Sequence, residues 1–114
     1  MAGSNLYTGT LDLLILKALQ WGPRHGYAIG RWIRETGGGP LQVEEGALYP
    51  ALHRLKKAGL LAADWGQSET GRQAKFYELT AAGRKQLAAE LARWSEHVTA
   101  VEAVLGAESG AGPS

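Results

Sequence analysis

From Val43 to Leu87 the chain reads VEEGALYPALHRLKKAGLLAADWGQSETGRQAKFYELTAAGRKQL, and this order of apolar periods and stops constrains the fold most strongly. Leu48, Ala51, Leu52, Leu55 and Ala58 recur at helical spacing, which predicts a helix with one apolar face. The other face carries Tyr49, Pro50, His53, Arg54 and Lys57. Gly59 stands where the residue after a helix takes a left-handed conformation. LLAADWGQ and AKFYEL then read as two strands, joined by the loop Ser68-Glu69-Thr70-Gly71-Arg72-Gln73. Another helical stretch follows. An element with an apolar back and a basic front, next to an arm carrying Arg72 and Lys75, suggests a surface made for phosphates.

A chain of 114 residues supports one domain with a modest core. Its net charge of +1 conceals an uneven distribution. Residues 13–89 hold eleven Lys and Arg against six Asp and Glu, whereas residues 90–114 hold one Arg against four Glu. Any polyanion is therefore expected on the body rather than the C-terminal part. On charge alone, an ordinary solvated surface is an equal alternative. The absence of cysteine excludes disulfides and thiol chemistry and is compatible with a reducing cytoplasm. No secretory pattern opens the chain. Its longest apolar stretch, around Leu13–Leu19, falls far short of the ~20 residues of a membrane span. The expectation is a soluble intracellular protein with no membrane partner.

Catalysis has little support. His25, His53 and His97 fall on different elements without metal-ligand spacing, and no cysteine is present to complete a zinc site. Asp12 and Asp64 are the only aspartates. Gly37-Gly38-Gly39-Pro40 lacks the Gly-Lys-Ser/Thr of a phosphate loop and reads as a connector. No catalytic residue, metal or cofactor is expected.

Before the central segment, Met1–Asn5 should be loose, and Thr8 or Thr10 can cap a first helix over Leu11–Leu19, apolar nearly all round. Trp21-Gly22-Pro23 stops it. A second helix, about His25–Glu35, is predicted with Ala28, Ile29, Trp32 and Ile33 inward and Arg31 and Arg34 outward. The third begins near Glu44–Gly46, and Pro50 removes one of its early hydrogen bonds. The aromatic rings of Trp21, Trp32 and Trp65 are expected in core or interface packing.

From Thr80, read as an N-cap, a helix is predicted to about Leu105. Gly83 occupies the place of a capping-box Glu. Leu87, Leu91, Trp94, Val98, Val101 and Leu105 form a heptad seam. A helix of this length spans roughly 38 Å, more than such a body can cover. The first half should lie against the chain's own first helix. From Trp94 onward a second chain is expected, with Leu91, Trp94, Val98, Val101 and Leu105 in the dimer interface.

The residues now match a family. LDLLILKAL (Leu11–Leu19), GPRHGYAI (Gly22–Ile29), EEGALYPALHRL (Glu44–Leu55), GLL (Gly59–Leu61), KFYELTAAGR (Lys75–Arg84) and ARWSEHV (Ala92–Val98) follow one another. In this order they strongly resemble the PadR-like transcriptional regulators over about Leu6–Leu105, with motifs specific in combination and weak singly. The resemblance implies a mainly α fold with a small β-hairpin: a winged helix-turn-helix DNA-binding domain (1–79) and a long C-terminal dimerisation helix (80–105), while residues 106–114, without apolar periodicity, are expected to be a flexible tail. It further implies a bacterial, cytoplasmic, nucleoid-associated homodimer on double-stranded DNA. Such a dimer binds an inverted repeat in a promoter, usually as a repressor released by an effector.

By the same resemblance Tyr49, Pro50, His53, Arg54 and Lys57 match the recognition helix, Arg72 and Lys75 the basic wing, and Gly26 and Tyr27 the start of the second helix, lying near the DNA backbone. Trp94 matches an aromatic that in some short members faces its twin and sandwiches flat hydrophobic ligands. A small aromatic effector there, or plain packing without a cavity, are the two expectations for Trp94. Glu69 and Gln73 dilute the charge of the wing. The alternatives to a DNA-binding regulator are a winged-helix protein–protein adaptor, which would not need the basic front, and a carrier of small hydrophobic molecules built around Trp94.

Overall fold

In the computed structural model, residues 8–108 and 110 are described. The expectations for residues 1–5, and for 109 and 111–114 of the tail, lie outside them. The elements are α1 (Thr8–Ala18), β1 (Arg24–His25), α2 (Gly26–Gly37), α3 (Glu45–Lys57), β2 (Leu61–Gln67), β3 (Gln73–Leu79) and α4 (Ala81–Leu105).

Residues 10–19 are all buried or half-buried, as expected of a helix apolar on most sides. The helix already runs at Thr8, so Thr10 lies inside it rather than capping it. Leu11, Ile15, Leu16 and Leu19 pack with Ile29 and Ile33 of α2, with Leu48, Leu52 and Leu55 of α3, and with Leu61, Tyr77, Leu79 and Leu87 in one core. Within α3 the apolar face holds except at Ala58, which is exposed at the C-cap.

Two features depart from the sequence reading. His25, expected as the first turn of α2, instead caps it: its Nδ1 accepts the Ala28 N–H at 3.2 Å. His25 and Arg24 also form β1, so the hairpin is the larger part of a three-stranded antiparallel sheet ordered β1-β3-β2. Arg24 pairs with Tyr77 and His25 with Phe76. Arg34, expected outward, turns half inward and donates from Nη1 to the Val43 carbonyl at 3.1 Å, tying α2 to the lead of α3.

The α3 stop sets the wing. Gly59 has φ +83°, and the Leu60 and Gly59 N–H groups donate to the Leu55 and Lys56 carbonyls, each at 3.0 Å. This is a Schellman motif. Thr80 then locks α4 onto the same turn. Its Oγ1 accepts the Gly83 N–H at 3.0 Å and donates to the Gly59 carbonyl at 2.7 Å. Only the first part of α4 is covered by the body. Leu87 is buried, Val98 half-buried, and Leu91, Trp94, Val101 and Leu105 are exposed, in a molecule measuring 61 × 30 × 22 Å.

Candidate nucleic-acid interface

With 3.6 residues per turn, Pro50, His53 and Lys57 fall opposite the buried Leu48, Leu52 and Leu55. All three are exposed and form the outer ridge of α3. Pro50 cannot donate to the Gly46 carbonyl one turn back, so this ridge carries a backbone carbonyl without its usual helical N–H partner.

Tyr49 and Arg54 flank the ridge on opposite sides. Tyr49 lies over the start of α2, where a Cβ on Gly26 would come within 2.6 Å of its Cε1. Burial raises the Tyr49 phenol above its ordinary range, with Glu45 adding to the effect. Burial likewise raises Tyr77, which also feels Tyr49. Both therefore stay protonated and can donate. Gly26→Ala is expected to swing the exposed Tyr49 ring aside at a cost in stability within about 1 kcal/mol. A urea midpoint lowered by more than that would show that the ring is held in place.

Arg54 leaves the ridge for α1, where its Nη2 donates to Asp12 Oδ1. Burial raises the Asp12 carboxyl, the Arg54 guanidinium opposes that shift, and Glu90 adds to it. Among the described residues the other ion pairs are Arg31–Glu35 and Arg93–Glu90. Lys57, Arg72 and Lys75 thus keep their charges unpaired within this set.

The sheet register orients the wing. Leu61–Leu79, Ala63–Tyr77 and Trp65–Lys75 are directly opposed pairs. Alternation puts them on one face, the face that Leu61, Tyr77 and Leu79 turn to the core. Past the edge of the core the same face continues as Lys75 and Trp65, the latter 62% exposed. Trp21 is as open, at 63%. Neither ring is core. Arg72 sits in the β2–β3 loop, which is closed by Ser68 N–H donating to the Arg72 carbonyl at 2.8 Å. Tyr27 and Arg72 line the same cleft of about 610 Å³ between α2 and this loop, together with Arg31 and Glu69. Trp65 and Arg31 were not singled out from sequence as site residues. The two-residue period from Leu61 through Ala63 was the available signal for Trp65.

Trp94 stands apart from this surface. It lies on α4 with His97 beside it, ring centroids 6.0 Å apart. Together with Gly9, Thr10 and Leu13 of α1 they line an open groove of about 520 Å³. Among the described residues, no three His, Cys, Asp or Glu side chains are grouped to hold a metal, and no helix is long and apolar enough to cross a membrane.

The model of the transcriptional regulator PadR-like family matches residues 15–89, from α1 through the wing into α4. The chain belongs to the PadR-like family of transcriptional regulators. A protein of Lysinibacillus sphaericus named only as uncharacterized protein X is 30% identical over 96 residues, 84% of this chain and 88% of that one. An uncharacterized 37.1 kDa protein in transposon TN4556 of Streptomyces fradiae is 42% identical over 83 residues. These are 73% of this chain but 22% of that relative's length. The crystal structure of a PadR-like transcriptional regulator from Bacillus cereus superposes with a TM-score of 0.80 at 28% identity, covering 92% of this chain and all of that one. The PadR-like fold gives α3 and the β2–β3 wing their identity as a winged helix, and the family is one of regulators rather than enzymes.

Proposed function

We propose that the protein is a dimeric, sequence-specific DNA-binding repressor that reads an inverted repeat. The observation that carries this is the exposed ridge of α3, with Lys57 on it and Tyr49 flanking it, together with the unpaired cations Arg72 and Lys75 of the wing. His53 and, where it leaves Asp12, Arg54 are the base readers, each worth about 1–3 kcal/mol of discrimination in a good pair. Tyr27, Tyr49, Lys57, Arg72 and Lys75 bind backbone phosphates and set the register. Pro50 keeps the ridge low so that backbone can approach DNA. His53→Ala should weaken binding to the operator and spare random duplex, whereas Arg72→Ala should weaken both. Equal proportional losses for both variants on both DNAs would remove this division.

Dimerisation is assigned to α4, whose apolar seam from Leu91 through Trp94, Val98, Val101 and Leu105 the body leaves largely uncovered. Two recognition helices related by a two-fold axis need half-sites about one helical turn apart. Moving one half-site by about five base pairs turns it to the opposite face of the duplex. Undiminished affinity for the shifted site would rule out a rigid dimer reading both halves.

The groove beside Trp94 favours a second element, release by a small planar aromatic effector. Such a ligand can shift DNA affinity only through its differential affinity for two arrangements of the dimer. Titrating planar aromatic cations and phenolic compounds against tryptophan fluorescence, in wild type and Trp94→Phe, tests it. Identical binding curves for the two proteins would leave Trp94 a packing residue.

A further inference from the structure

Asp12 on α1 and Arg54 on α3 lie 42 residues apart in sequence, yet they form the contact that decides where the Arg54 guanidinium goes. Arg54 leaves the ridge of Pro50, His53 and Lys57 on the side turned to α1. The two partners are unequal. The Asp12 side chain is 24% exposed and that of Arg54 48%, so the short carboxylate is the fixed end and the long arginine the movable one. Among the described residues Asp12 makes no other side-chain hydrogen bond, and Glu90 of α4 is near enough to act on it. If Arg54 left, the largely buried Asp12 carboxylate would lose the cation that offsets its burial, so the pair is favoured closed, while the half-exposed Arg54 stays within reach of a competing contact. An arginine on a recognition helix would otherwise be a strong phosphate ligand for any sequence.

We infer that Asp12 is a specificity-determining residue that holds Arg54 on the α1 side and withholds its charge from phosphates, so that Arg54 engages DNA only where an operator contact outcompetes the carboxylate. This rests on the DNA-binding reading above. Weak non-specific affinity follows, and with it a higher ratio of operator to random binding.

The test uses the full-length protein, a random duplex, and an operator selected from random DNA by the wild type. Asp12→Asn keeps the shape and removes the charge. Freeing two arginines per dimer should tighten random-duplex binding by about tenfold near 0.1 M salt and steepen the log–log salt slope by about 1–2. Operator affinity should rise less, so the ratio falls. The gain should vanish in the Asp12→Asn/Arg54→Ala double variant. Arg54→Ala alone should change random binding less than about twofold, while Lys57→Ala, which removes a free cation, costs several-fold. That comparison stands even if Asp12→Asn does not fold. An unchanged salt slope in a folded Asp12→Asn, a gain that persists without Arg54, or an Arg54→Ala loss on random DNA as large as that of Lys57→Ala would each overturn the inference. A wild type that binds no duplex would overturn the DNA-binding reading as well.

Discussion

Between 50 and 200 mM salt, affinity for the operator is expected to fall by about 10³–10⁵-fold, as for a protein neutralising 6–10 phosphates. The basis is the unpaired cations of the α3 ridge and the wing. Lys57 on the α3 ridge, with Arg72 and Lys75 on the wing, carries three charges per protomer, and Arg54 is left out because on the operator it reads a base edge rather than neutralising a phosphate. Doubled by a two-fold axis, these reach the lower end of that phosphate range and so about 10³-fold. Of the cleft beside the wing only Arg31 could extend it, and Arg31 is held by Glu35 at 3.0 Å with Glu69 in the same cleft. Titrating labelled operator at several salt concentrations gives the slope directly. A slope shallower than about −2 would mean that phosphate contacts are not the main source of affinity.

The parts of this surface that were legible in the sequence are those written in local periodicity. Leu48, Ala51, Leu52 and Leu55 announce α3 and by exclusion its ridge, Gly59 marks the stop, and Thr80 marks the start of α4. What escaped depends on partners distant in the chain. A two-residue strand has no period of its own, so β1 exists only because β3 presents Phe76 and Tyr77 to pair with His25 and Arg24. Arg34 looks like any outward cation until Val43 supplies a carbonyl, and Arg54 until Asp12 arrives from α1. The three aromatics Trp21, Trp32 and Trp65 read alike as packing residues. Only the register of β2 against β3 shows that Trp65 lies beyond the core on the inner face of the wing. The seam of α4 was legible to Leu105, but it says only that something apolar belongs there.

Gly83→Ala should destabilise the protein by about 2 kcal/mol, although the same change in an exposed helix interior stabilises by up to about 1 kcal/mol. By local rules Gly83 is a poor choice, since it stands where a Glu could complete a capping box on Thr80. The reason for it lies across the chain. A Cβ at Gly83 would sit 2.1 Å from the Leu60 carbonyl oxygen and 3.2 Å from its carbon. That carbonyl is fixed. It accepts the Thr80 N–H at 3.1 Å, in a turn that the Schellman bonds of α3 hold from the other side. The methyl group therefore has to lift α4 off the turn and strain the Thr80 cap, and this overpacking outweighs the gain in helix propensity. Gly46→Ala in α3 is the matched control, because nothing lies within 4 Å of the added Cβ there. It should leave stability unchanged or raise it by up to about 1 kcal/mol. At about 4–8 °C per kcal/mol for a domain near this size, the two variants should melt on opposite sides of wild type, Gly83→Ala about 10 °C below it. Equal melting temperatures for both would show that the first turn of α4 can move away from Leu60 without loss, and that Gly83 is not what fixes the wing to the helix that follows it.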